Sequence, residues 1–183
     1  MPIASPLDPA VTWLPSSVRG GGTSLTAFLG CGILCDVYRA VDVYRAVLDT
    51  SIVVAAFRSR HGASNLVLER VARGFVRPLV TTALFLEYED VLLRPEHRLA
   101  TGMREADVAG ALAALASAAE PVEVYFRWRP QLRDPADELV LEAAVNGRAD
   151  ALVTHNVRHF APAATRFELR VLTPQQCLQE VES

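Results

Sequence analysis

Lysine is absent. All 18 basic residues of this 183-residue chain are arginine, so no mechanism that needs a catalytic lysine is open to it. The arginines are spread along the chain as a compositional bias. Guanidinium forks suit phosphate, but that spread alone marks no site. Cysteine is scarce: Cys31, Cys35 and Cys177 form neither a disulfide framework nor the paired CxxC of a zinc site, which fits a reducing cytoplasm. There is no surplus of positive charge, because the net charge is −3; a nucleic-acid partner would need a local basic surface. No apolar run is long enough for a membrane span. The best, "TSLTAFLGCGIL" at Thr23–Leu34, is about half the required length. With Arg19 as its only basic lead and no clean small-x-small cleavage site, it also lacks the form of a signal peptide. No GxGxxG or GxxxxGK[ST] follows a strand, which removes dinucleotide and P-loop binding. The expectation is a cytoplasmic protein with no membrane association.

What the chain does have is apolar residues in quantity, 51% of the total with a mean hydropathy of +0.21, enough for one domain with a buried core. Residues 1–43 read as a disordered or poorly packed leader. Residues 1 to about 35 are rich in Pro, Gly and Ser and include "SSVRGGGTS"; the tandem "DVYRAVDVYRAV" follows at Asp36–Val47, too short to be a structural repeat unit. The folded domain is expected over 44–183. There "AVLDTSIVVAAF" opens as a buried strand, and Ser64–Gly74 has a helical period with Ser as N-cap and Gly as stop. Phe75–Thr81 reads as a strand despite Pro78, and Thr82–Arg94 as a helix ended by Pro95. Arg104–Ala119 is an Ala-rich helix and Pro121–Phe126 a strand. Asp134–Gly147 has acids in its first turn, an apolar stripe and a Gly stop. Asp150–Asn156 and Phe167–Thr173 read as strands, and Pro174–Glu182 as a last helix. Strands alternating with helices predict an α/β fold, a three-layer α/β/α arrangement around a mainly parallel sheet. Ligands in such folds bind beyond the carboxyl ends of the strands.

Four positions have routes to that rim. Asp49 ends the first strand, Asn156 ends the "DALVT" strand, Asp134 and Asp137 open a helix, and Glu87 lies within "LFLEYEDVLL". Grouped carboxylates repel unless a cation or a proton intervenes, and hard divalent cations take oxygen ligands. Each position has an ordinary alternative: Asp49 as a strand-end cap, Glu87 as a solvated helix acid, Asp134 and Asp137 as helix N-terminal acids, Asn156 as a turn residue. A second basic and aromatic group, "YFRWRPQLR" at Tyr125–Arg133, has the composition of a single-strand stacking surface or of strand-end packing.

Three segments in order, "VLDTSIVVAAF", "TTALFLEYEDVLLRPEH" and "DPADELVLEAAVNGRADALVTHNVRHF", make the chain resemble PIN-domain proteins of the VapC-like toxin group from toxin–antitoxin systems. The resemblance implies a PIN-like parallel α/β fold and an acidic cluster that binds Mg²⁺ or Mn²⁺ and cuts RNA. It makes Asp49, Glu87 and Asp137 the metal-binding and catalytic acids, with Asp134 as a neighbour able to share the third role. The fourth family acid is replaced by Asn156, and the usual "DTN" reads Asp49-Thr50-Ser51. Ser51 and Thr154 would stand behind the ligands as hydroxyls, and Arg58, Arg60, His61, Arg158 and His159 would meet RNA phosphates. A separate antitoxin chain and a homodimer are the partners implied beside RNA. The alternative is a PIN-like module that binds RNA or protein with weakened cleavage. Phosphotransfer of the haloacid-dehalogenase type is excluded, because Ser51 stands where that chemistry needs a second Asp and lysine is missing. Cys–His hydrolysis is disfavoured by the positions of the three cysteines.

Overall fold

The computed structural model describes residues 43–182. The leader lies outside the described residues apart from Val43, as does the first hexapeptide copy, whereas the second copy runs into β1. Among the described residues five strands form one all-parallel sheet in the order β3-β2-β1-β4-β5. They are β1 (Tyr44–Leu48), β2 (Val76–Val80), β3 (Glu120–Pro121), β4 (Ala151–Val153) and β5 (Val171–Leu172). The helices are α1 (Thr50–Arg58), α2 (Ala63–Ala72), α3 (Thr82–Leu93), α4 (Pro95–Thr101), α5 (Glu105–Ala118), α6 (Pro135–Gly147), α7 (Val157–Phe167) and α8 (Pro174–Val181). Parallel crossovers are right-handed, and the chain moves one way from β1 to β3 and the other way from β3 to β5. Helices therefore cover both faces, giving the three-layer α/β/α fold. No helix is long and apolar enough to cross a membrane among the described residues.

Burial on both faces explains why the central strands read as continuous apolar runs. Ala46, Val47, Leu48, Leu152 and Val153 are fully buried, and Val67, Leu79, Leu84, Tyr88, Val140 and Phe160 pack into the same core. Pro78 fits within β2 because β3 pairs with β2 only from Leu79 onward, so no β3 position lies opposite the missing N–H. Cys177 is buried on α8, and burial pushes its thiol up to about 11, which makes it an inert packing residue.

Several expected boundaries are corrected. Gly62, not Ser64, is the N-cap of α2, while Gly74 at φ +79° does end that unit. The helix from Asp134 closes on Arg148 in the left-handed region, one residue past Gly147. Gly147 is needed instead for close approach, since a Cβ there would lie 3.0 Å from Leu79 Cδ1 and Val122 Cγ2. Phe167 belongs to α7, leaving only Val171–Leu172 of the last expected strand.

The strand expected over Pro121–Phe126 stops at Pro121 for a visible reason. After Val122 donates to the Val80 carbonyl, the next backbone donors turn away from the sheet. The N–H groups of Tyr125 and Phe126 both donate to Asn146 Oδ1 at 3.0 Å, and Asn146 Nδ2 donates to the carbonyls of Phe126 and Glu142. One side-chain amide near the end of α6 thus does the work of a neighbouring strand. Asn146→Ala is expected to cost about 1–3 kcal/mol, read as a lower denaturation midpoint, with faster hydrogen exchange at the Tyr125 and Phe126 amides. Unchanged exchange there would contradict this role.

Candidate active site

The strand order reverses between β1 and β4, and the crevice of a doubly wound sheet opens beyond the carboxyl ends of that pair. Asp49 is the first residue past β1, and Thr154, His155 and Asn156 follow β4. The Asp49 N–H extends the ladder by donating to the Val153 carbonyl at 2.9 Å, so Asp49 stands beside Thr154.

The Asp49 carboxylate is buried, and burying a charge is costly unless it is hydrogen-bonded. Its Oδ2 accepts from Ser51 Oγ and from Thr154 Oγ1, both at 2.6 Å. These are short, charge-assisted bonds. Asp49 occupies the N-cap position of α1, yet its side chain makes no capping bond. The cap reading of this residue therefore gives way to a carboxylate held by two hydroxyls. Thr154, fully buried, also accepts from the Asn156 N–H at 2.9 Å, so one hydroxyl orients both the acid and the turn after β4. Asn156 N-caps α7 by position only, without a side-chain capping bond.

Tyr88 fastens the other side. Its buried hydroxyl donates to the Leu48 carbonyl, tying α3 to the last residue before Asp49. Burial and the negative charge of Asp49 both push the Tyr88 phenol upward, so it stays a neutral donor. Glu87, the preceding residue, is half-buried on a helix that packs against α1 and α6. Among the described residues no hydrogen bond fixes its carboxylate.

Asp134 and Asp137 separate by environment. Asp134 is exposed and caps α6, accepting from the Ala136 N–H at 2.9 Å. Asp137 is buried in the first turn, with Oδ2 3.2 Å from His159 Nδ1 on α7. Burial raises the Asp137 carboxyl above its ordinary range; His159 opposes the shift, and the charges of Asp49 and Asp134 add to it. Asp49 and Asp137 therefore lie within one electrostatic field.

The remaining polar residues divide likewise. Arg158 and His159 are exposed at the start of α7. Arg58, Arg60 and His61 are exposed at the end of α1 and in the α1–α2 loop. The first turn of α2, just past that loop, is moored beside the β4 exit, because Ser64 Oγ lies 2.9 Å from His155 Nε2. Two contributors escape sequence reasoning. Ser64 has the pattern of a cap and Tyr88 that of an apolar helix position, and nothing local signals the long-range partner of either.

Among the described residues no group of three His, Cys, Asp or Glu side chains is close enough to hold a metal ion. What the structure brings together is Asp49 with Ser51 and Thr154, Asp137 with His159, and Asp49 with Asp137 through their charges. The donors nevertheless fit a hard divalent cation. They are oxygens, Asp49 Oδ1 makes no hydrogen bond among the described residues, and Mg²⁺ needs only one or two carboxylates because it keeps several waters.

The PIN-domain family model matches residues 45–158, a span that holds β1, all the candidate acids and the start of α7. No curated protein matches the chain.

The buried Asp137 is a stability cost with a pH signature. Its raised folded-state pKa means that the folded protein binds the proton more tightly than the unfolded chain. The cost is absent below the ordinary carboxylate range, grows as pH rises through it, and is complete above the folded value. Its contact with the largely exposed His159 offsets little of this. Asp137→Asn is therefore expected to raise the melting temperature at neutral pH in metal-free buffer. The gain should vanish near about pH 3. Equal melting at neutral pH, or a gain confined to acid, would contradict the assignment.

Proposed function

Because the chain belongs to the PIN-domain family, whose fold is of the nuclease type, we propose that it is a metal-dependent endoribonuclease, the toxin of a toxin–antitoxin pair. The observation that carries this reading is the Asp49 carboxylate. It is buried at the switch point of the sheet, held through one oxygen only, and shares its field with Asp137. In this reading Asp49, Glu87 and Asp137 hold Mg²⁺ or Mn²⁺, with Asp134 or Asn156 at the margin. Such an ion, when bound, acidifies a water and offsets charge on a phosphodiester.

The chain's own residues supply the rest. Ser51 and Thr154 hold and aim the Asp49 carboxylate, since both donate to its Oδ2. Asp137, buried at the start of α6 beside His159, is the carboxylate this reading assigns to accept the proton of the attacking water. His159 orients Asp137, and Arg158, Arg58, Arg60 and His61 meet backbone phosphates around the rim. The substrate is RNA, a separate antitoxin chain covers the cleft, and the toxin works in the cytoplasm as a dimer.

A second reading, a PIN-like module that binds RNA or protein without efficient cleavage, draws on Asn156 in place of an acid and on the lack of a three-ligand cluster among the described residues. Metal-linked melting separates the two. At about a hundredfold excess over its Kd, a ligand specific for the folded state adds about 2.7 kcal/mol. The nuclease reading predicts a Mn²⁺-dependent rise in melting temperature, together with RNA cleavage that chelation or Asp49→Asn reduces to background. No rise and no cleavage would favour the binding module. Cleavage that persists in Asp49→Asn or in chelator would contradict the nuclease mechanism itself.

A further inference from the structure

The segment between β3 and α6 is held firmly without using its aromatic rings. Asn146 takes the N–H groups of Tyr125 and Phe126. The buried Glu142 binds Arg129 through both oxygens, at 2.7 and 2.8 Å. The buried Glu138 accepts from the N–H groups of Gln131 and, at 2.7 Å, Leu132. Three side chains of one helix thus pin this irregular backbone, and its rings are left over as a presented surface.

Those rings are ordered among themselves. Phe126 and Trp128 have centroids 5.5 Å apart, Trp128 and Phe167 5.3 Å, and the Arg166 guanidinium lies 5.6 Å from the Phe167 centroid. Trp128 is half-buried by this stacking, but Phe126 is 64% exposed, far more than packing requires. Three exposed guanidiniums border the ladder. Arg127 and Arg133 are exposed and make no ion pair or hydrogen bond among the described residues, and Arg166 is hydrogen-bonded only to the neutral Gln131 at 2.5 Å. Glu123, Asp134 and Glu168 are exposed acids of the same segments, Glu123 being engaged by the Tyr125 hydroxyl at 2.5 Å.

Position links this surface to the acids. It flanks α6 and the last turn of α7, the two helices whose first turns carry Asp137 and His159. From His159 to Phe167 along α7 is about 12 Å. The ladder thus stands at the end of α7 opposite the one that carries His159.

We propose that the Phe126–Trp128–Phe167 ladder, flanked by Arg127, Arg133 and Arg166, is a stacking platform for the unpaired bases of single-stranded RNA. Rings offer their faces to any base, and the guanidiniums answer the phosphates, so the platform selects unpaired over duplex RNA rather than one sequence. The proposal rests on the ribonuclease reading for the identity of the polynucleotide.

The test is equilibrium binding of a fluorescein-labelled oligouridylate to the full chain, followed by anisotropy in EDTA. No cleavage or metal is then involved, so failure of the metal mechanism leaves the measurement intact. Because Phe126 is largely exposed, Phe126→Ala is expected to fold, and it should weaken binding roughly fivefold to a hundredfold. Phe126→Tyr, which keeps the ring, should restore affinity, and duplex RNA should bind more weakly than the single strand. Parental affinity in Phe126→Ala, or no gain on restoring the ring, would overturn the platform. So would equal affinity for duplex RNA. A change in sedimentation without a change in RNA affinity would make this patch a protein contact and would equally overturn it.

Discussion

Everything at the rim of the sheet depends on one buried charge. The Asp49 carboxylate is enclosed at the junction of β1 and β4, and an ionised carboxylate is tolerated there only because two hydroxyls donate to it. One hydroxyl comes from two residues further along, and the other from the residue just past β4, 105 positions away. The parallel pairing of Leu48 with Val153 brings them together, so the sheet's register is also the register of the site. A one-residue slip of β4 would carry Thr154 off the acid and leave its charge uncompensated.

The same economy of a single group serving two ends recurs outward. Tyr88 fills the core with its ring and spends its hydroxyl on the Leu48 carbonyl, which fixes α3 against the strand end that carries Asp49. On the other side α6 starts with Asp134 as a cap and Asp137 in the shared field. It then uses Glu138, Glu142 and Asn146 to hold the segment that precedes it. One helix thus supplies an acid at its start and a scaffold for exposed rings along its length. Glu138 and Glu142 are buried acids with a structural task, distinct from that of Asp137 one and five residues before them.

The legible part of the chain is what local pattern controls. Strand–helix alternation, the apolar runs of β1 and β4, the Thr82 and Asp134 helix starts and the order of the acids all follow from periodicity and caps. Long-range hydrogen bonds are not written locally. Ser64 looks like a cap until His155 claims it, and Val122–Phe126 looks like a strand until Asn146 diverts its N–H groups. The pattern also does not declare α7, because Pro162 interrupts it and few of its residues are buried. Within the site, Ser51 and Thr154 donate to Asp49, the second across a long sequence separation, whereas Asp137 differs from Asp134 through burial, which no spacing rule reveals.

Whether the acids serve a cation is decided most directly by locating the cation itself. Anomalous diffraction from crystals soaked in Mn²⁺ should reveal one strong site beyond the ends of β1 and β4. An oxygen of Asp49 and one of Asp137 should each lie within about 2.0–2.6 Å of it, the range for hard-cation oxygen ligands. A crevice free of anomalous density, or a site bound by neither acid, would contradict the assignment of Asp49 and Asp137 as metal ligands.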